Sequence, residues 1–171
     1  MRKSYAGIGS RLTPLYIRDQ MTEIAKNLAR QGWILRSGAA SGADQAFENG
    51  AGDAKEIYIP WKGFNKSTSL LLPIPEAFSL AECFHPNWKA CKQYDRALHA
   101  RNCHQALGAN LDDPVAFVIC WTSGGGAVGG TGQAMRIAAD KSIRIYNLFH
   151  KADRELWEKR VEDGKQATET A

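Results

Sequence analysis

Short uncharged runs alternate with stretches in which apolar residues recur every third or fourth position. That is the signature of strands buried in a parallel sheet and covered by helices on both faces. Residues 5–9 (Tyr-Ala-Gly-Ile-Gly) predict a first strand running into a glycine turn. Thr13 and Pro14 then open a helix, Thr13 as its N-cap and Pro14 at its first position. Ile17, Met21, Ile24 and Leu28 mark its inner face, and Gly32 stops it. Residues 33–37 predict a second strand, residues 43–49 a short helix and residues 56–59 a third strand. Residues 61–75, punctuated by Gly63, Pro73 and Pro75, read as a surface loop placed to cover a site. A long helix is expected over residues 86–107, with Trp88, Cys91, Tyr94 and Leu98 on one face. Residues 115–121 carry no charge and predict a central strand. Six glycines fall within residues 122–132, ahead of a helix over 133–139, a last strand over 143–146 and an amphipathic helix over 153–162. The expected architecture is a single α/β domain over residues 1–150, mostly parallel sheet with helices on both faces, followed by a C-terminal helix and tail over 151–171.

Composition narrows the class. A chain of 171 residues, 44% hydrophobic and 23% charged, is long enough for one substantial core. No run approaches the roughly 18 apolar residues that cross a bilayer. Arg2 and Lys3 are not followed by an apolar leader, so no membrane partner and a cytoplasmic location are expected. The net charge of +4 permits an anionic ligand, but the lysines and arginines are spread along the chain rather than gathered into one run. Cys83, Cys91, Cys103 and Cys120 form no CxxC pair. A zinc site would recruit Cys91, His99 and Cys103, a looser spacing than structural zinc sites use. Buried free thiols, no metal and no cofactor are the expectation.

Three strand ends carry small-residue turns: residues 7–11, residues 37–44 and residues 124–132. In an open parallel sheet, ligands bind beyond the carboxyl ends of the strands. Glycine there lets backbone N–H groups approach a phosphate, and a following helix N-terminus adds its dipole. Gly9, Ser10, Ser37, Gly38, Ser41, Gly42, Gly129, Gly130, Thr131, Gly132 and Gln133 are therefore candidate phosphate- or ligand-binding residues. Arg11 follows the first turn, where a guanidinium can clamp a phosphate, or it is a solvated surface arginine. Arg101, beside Asn102, aims into the same crevice or makes a helix salt bridge. Asp44 closes the second turn near a helix start, where the helix dipole is expected to keep it ionised. It caps that helix or accepts ribose hydroxyls, and with Arg101 it is the candidate catalytic pair. Trp61 and Phe64 either stack on a base or plug the loop that carries them. No P-loop lysine, G-x-S-x-G or H-E-x-x-H occurs.

Taken in order, Gly9-Ser10-Arg11, then residues 37–44 (SGAASGAD), then Arg101-Asn102, then Gly129-Gly130-Thr131 resemble the DprA/Smf (DNA processing protein A) family. The set is similar also to the wider SLOG superfamily, which includes the Lonely Guy phosphoribohydrolases. The resemblance spans residues 4–148, and the short stand-alone form is similar to phage-encoded members. It implies a Rossmann-like fold, a homodimer or higher homo-oligomer, and a ligand at the glycine turns. Lonely Guy enzymes place a glutamate three residues after the threonine of their glycine loop, and here that position is Ala134. Glycosidic hydrolysis needs a carboxylate, which Asp44, Glu48 or Asp95 would then have to supply.

Three readings follow. The first is a sensor or sponge for a phosphate-bearing nucleotide-derived ligand, ADP-ribose-like or cyclic. The second is DprA-like binding of single-stranded DNA, with Arg11, Lys62, Lys66, Arg96 and Arg101 lining a basic groove and Trp61 stacking. The third is an N-glycosidase or phosphoribohydrolase acting on a nucleotide.

Overall fold

The computed structural model describes residues 3–169, with side chains through residue 167. The elements are β1 (Ser4–Gly7), α1 (Leu15–Arg30), β2 (Ile34–Ser37), α2 (Ala43–Ala51), β3 (Lys55–Ile57), α3 (Pro75–Phe84), α4 (Gln93–Leu107), β4 (Phe117–Cys120), α5 (Gly129–Asp140), β5 (Arg144–Asn147) and α6 (Lys151–Glu169). The strands form one all-parallel sheet in the order β3-β2-β1-β4-β5. The fold is a single Rossmann-like α/β domain.

Alternate residues of each strand enter different cores. Tyr5, Leu35 and Ile119 pack with Ile17, Met21, Phe47 and Trp157 from α1, α2 and α6. Ala6, Val118 and Cys120 pack with Ala81, Ala100, Cys103, Ala134 and Ile137 from α3, α4 and α5. The central strands β1 and β4, buried on both faces, carry no charge, whereas the edge strands carry Lys55 and Glu56 in β3 and Arg144 in β5. In β2, buried Arg36 pairs with Glu56 at 2.9 Å and with Asp113.

Several boundaries differ from the sequence expectation, each for a local reason. Thr13 does not cap α1. Its hydroxyl donates to the Ser10 carbonyl at 2.6 Å, and Pro14 holds the N-cap position. The uncharged run over 115–121 contributes only Phe117–Cys120 to the ladder, because the Val115 amide donates to Ala106. The helix expected over 86–107 is two pieces, preceded by a helix the sequence did not suggest. His85 stands before Pro86, whose ring disfavours helical backbone there, and it adopts φ −90°, ψ 124° and ends α3. A short 3-10 turn at Trp88–Ala90 follows, and Cys91 is extended again before α4 begins. Trp88 and Cys91 therefore do not share a helical face with Tyr94 and Leu98. α5 starts at Gly129, four residues earlier than expected. No described helix is long and apolar enough to cross a membrane.

Candidate functional site

Parallel strands joined in the order 3-2-1-4-5 leave a crevice where the chain turns from one side of β1 to the other. A cavity of about 410 Å³ lies there, beyond the C-terminal ends of β1 and β4, within the size range of small-molecule sites. One wall is the turn after β1, with Gly9, Ser10 and Arg11. A second is the start of α5, with Gly129, Gly130 and Thr131, beside Thr122 and Ser123. The third is the face of α4 bearing Asp95, Leu98, His99, Arg101, Asn102 and Gln105, and Asp44 reaches the floor from α2.

The floor is a buried polar chain. Asp44 is 3% exposed and Arg101 6%, and Arg101 Nη1 lies 3.7 Å from Asp44 Oδ2. Arg101 also donates to the Gly38 carbonyl and, through Nε, to Asn102 Oδ1 at 3.1 Å. Asn102 Nδ2 donates in turn to the Gly130 carbonyl at 2.8 Å. One line of side chains thus joins the second glycine turn to the third. The Asp44 carboxylate gathers the amides of Ala40, Gly9 and Gly38, so it also joins the first turn to the second. Burial pushes its pKa up from 3.8 to about 6, against the opposing pull of Arg101 and those amides. Desolvation outweighs the opposing neighbours, yet a carboxyl titrating near 6 is still mostly ionised at neutral pH. Burial likewise lowers the Arg101 pKa, with Asp44 raising it and Arg11 lowering it further. His99 is pushed down to about 4, first by burial and then by His85.

Not every small residue of the three turns faces the cavity. Ser37 is fully buried and donates to the Gly7 carbonyl at 2.6 Å, tying β2 to β1. Gly38 leaves space for Arg101, whose guanidinium a Cβ there would overlap. Gly42 has φ +83°, and a Cβ on it would stand 2.7 Å from the Arg11 carbonyl oxygen, so it allows the first two turns to touch. Ser41 is exposed outside the cavity wall. Gly132 packs closely on Ala127. Gln133 is buried: its amide donates to the Ala81 carbonyl at 2.8 Å and its oxygen accepts from Arg136, which fixes α5 to α3. In the first turn, the Ser10 hydroxyl accepts from the Leu12 amide and the Ser10 amide donates to Trp121, so the turn largely satisfies itself. Arg11 is exposed at the rim, and among the described residues no hydrogen bond or ion pair holds its side chain.

Sequence reasoning missed His99, Leu98 and Gln105 as cavity residues. Asp95, Leu98, His99, Asn102 and Gln105 are spaced as one stripe of a helix, a signal obscured because the stripe is polar. Asn147 was missed as well. Its side chain donates to Thr122 Oγ1 at 2.8 Å and accepts from the Thr122 amide, shaping the start of the glycine loop. Phe64 is a plug, 6% exposed, with Arg101 stacked 6.0 Å from its ring centroid. Trp61 is 36% exposed and meets the edges of Phe64 and of exposed Tyr94. The loop they occupy is pinned by Asn65, which donates to the Ala39 carbonyl at 2.9 Å. Of the carboxylates weighed for hydrolysis, Asp44 and Asp95 line the cavity, whereas Glu48 pairs with Lys55 at 3.0 Å. Ala134 is buried in the core.

Fold and cavity together define a Rossmann-like protein with a polar crevice at the strand-order reversal. No protein-family model matches the chain, and no curated protein matches it in sequence. Among solved structures it is similar to DNA processing protein A from Helicobacter pylori, described for its single-stranded DNA binding mode. The TM-score is 0.56 and the identity 17%, over 85% of this chain and 65% of that one. At that identity the likeness establishes the fold, and this chain accounts for only 65% of the length of that structure.

Proposed function

We propose that the cavity binds a phosphate-bearing nucleotide-derived ligand, ADP-ribose-like or cyclic, and that the protein acts as its sensor or sponge. The observation that carries this reading is the opposition, across one cavity, of the first turn of α5 and the rim guanidinium of Arg11. The leading N–H groups of a helix lack intrahelical acceptors, so Gly129, Gly130 and Thr131 present donors and a dipole to an anion. Arg11 supplies an exposed positive charge, and Asp44 at the floor is a carboxylate suited to accept sugar hydroxyls. Native mass spectrometry of protein purified from cells tests the proposal. The expected result is a co-purifying nucleotide of definite mass, displaced when Arg11 is changed to Ala. Ligand-free protein that also fails to bind ADP-ribose or cyclic nucleotides in calorimetry overturns it.

A second reading, binding of single-stranded DNA, is favoured by the likeness to Helicobacter pylori DNA processing protein A and by the exposed Trp61–Tyr94 pair beside the cavity. Aromatic faces of this kind stack on bases without sequence preference. Under the first reading an oligonucleotide binds weakly and is released steeply by salt, because only diffuse charge holds it. Nanomolar, length-dependent binding at physiological salt that Trp61→Ala abolishes puts the DNA reading first.

A further inference from the structure

The proline that ends α3 brings together three residues that the sequence scatters. His85 is the C-cap of α3, Cys91 ends the 3-10 turn and His99 lies in the second turn of α4. One donor atom from each lies within 4.8 Å of the other two. Cys91 Sγ is 3.7 Å from both ring nitrogens of His85, and the two imidazole centroids are 4.3 Å apart. The Nδ1 of His99 is buried and has no hydrogen-bond partner. We propose that His85, Cys91 and His99 form a binding site for a zinc-class divalent cation.

The chemistry of the three donors fits such an ion. A tetrahedral zinc with Zn–N of about 2.0–2.1 Å and Zn–S of about 2.3 Å sets its N and S ligands about 3.6 Å apart. The Cys91–His85 separation of 3.7 Å is close to that edge, and with Sγ equally far from both ring nitrogens a turn of the ring aims one of them at the ion. Thiolate and imidazole select zinc, cobalt or copper over magnesium and calcium, which take oxygen. The Cys103 considered in the sequence is not part of the group: its thiol is buried and donates to the Ala77 carbonyl at 3.5 Å. Binding changes two local contacts. The Cys91 thiol, now directed at the Asn87 carbonyl at 3.6 Å, loses its proton to solvent and becomes the thiolate ligand. His85, whose Nδ1 accepts from the Asn87 amide at 3.1 Å, gives up that hydrogen bond as its ring turns to the ion. Three protein ligands leave one tetrahedral position for water or an exogenous donor. His99 also lines the cavity, so the ion sits in its wall. The assignment does not depend on which ligand the cavity holds.

The competing account is simple aromatic packing, since Trp88 lies 6.0 Å from the His85 ring and 6.5 Å from that of His99. Cobalt separates the two accounts. Chelator-treated protein is titrated with Co²⁺ and followed by absorption, then back-titrated with Zn²⁺. The expected result is a thiolate-to-cobalt charge-transfer band with tetrahedral d–d bands, saturating at a single equivalent per chain and bleached by zinc. Cys91→Ser, which keeps the side-chain volume, loses the charge-transfer band. Cys83→Ser, at an exposed thiol outside the cluster, keeps it. Absence of the band at stoichiometric cobalt, or its persistence in Cys91→Ser, overturns the proposal. Circular dichroism confirms that each variant is folded, and if His85→Ala or His99→Ala fails to fold, the Cys91→Ser spectrum decides.

Discussion

Replacing Asp44 by Asn separates the role of its charge from that of its shape. The carboxyl titrates near pH 6 in the folded protein against an ordinary 3.8, a difference of about two pH units or about 3 kcal/mol. The sign follows from which state holds the proton more tightly. With the folded pKa raised, the native state binds more protons than the unfolded one between about pH 4 and pH 6, so stability falls as pH rises through that window. Above it the full cost of an ionised, buried Asp44 is present. A neutral amide at this position carries no such cost, so the stability of Asp44→Asn relative to the parent should rise by about 3 kcal/mol from below pH 4 to pH 7.5. The variant also leaves Arg101 without the charge 3.7 Å away, although the Gly38 carbonyl and Asn102 still accept from it. That loss is felt only where Asp44 of the parent is ionised, and it is already contained in the net shift, because Arg101 pulls the folded pKa down against burial. Urea unfolding of both proteins at several pH values measures the difference directly. A gap that is flat with pH, or that shifts toward the parent as pH rises, means that the Arg101 pair outweighs burial, and the reasoning fails. On the same samples at pH 7.5, loss of a sugar-hydroxyl acceptor should weaken nucleotide binding by about tenfold or more, about 1.4 kcal/mol. Unchanged affinity would assign Asp44 to holding the turns together.

Two further outcomes are expected. Arg11→Ala removes a charged hydrogen-bond donor from the rim and should weaken the ligand by about 1.5–3 kcal/mol in calorimetry without moving the thermal midpoint; equal affinity removes Arg11 from the site. Gly42→Ala should cost about 1–3 kcal/mol of stability, measured by urea unfolding, since its φ is +83° and a Cβ would stand 2.7 Å from the Arg11 carbonyl oxygen.

The central strands of the sheet were legible because they meet a single environment. Burial on both faces leaves Val118, Ile119 and Cys120 no position for a charge, and that absence is visible in the residues alone. α1 was equally legible, with Ile17, Met21, Ile24 and Leu28 all buried and the chain turning at Gly32. α3 was not. Only Ala77 and Ala81 of its ten residues are fully buried, so its apolar stripe is narrow and lies among Pro73, Pro75 and Pro86, which read as loop. α4 was placed but its start was not, because nothing in Trp88, Cys91 and Tyr94 announces that extended backbone at Cys91 separates the first two from the third.

At the site, residue type predicted location better than role. Gly9, Gly38 and Gly42 all lie where the three turns converge, yet each is small for the sake of a neighbour. Gly9 makes room for Ala43, Gly38 for the Arg101 guanidinium, and Gly42 for the backbone of Arg11. A glycine that admits a ligand and a glycine that admits another part of the chain are the same letter, and only the distance to the next atom separates them. The same ambiguity holds for Gln133, whose place beside a glycine loop suggested a ligand contact but whose amide fixes α5 to α3. Arg101 and Asp44 resolve differently, because a buried guanidinium and a buried carboxylate are costly unless something compensates them. Here each compensates the other only in part, with the carboxyl still raised and the guanidinium still lowered. That residual imbalance lies on the floor of a cavity whose rim carries Arg11. It leaves a buried carboxyl and a buried guanidinium lining the crevice, which a crevice built for packing alone would lack.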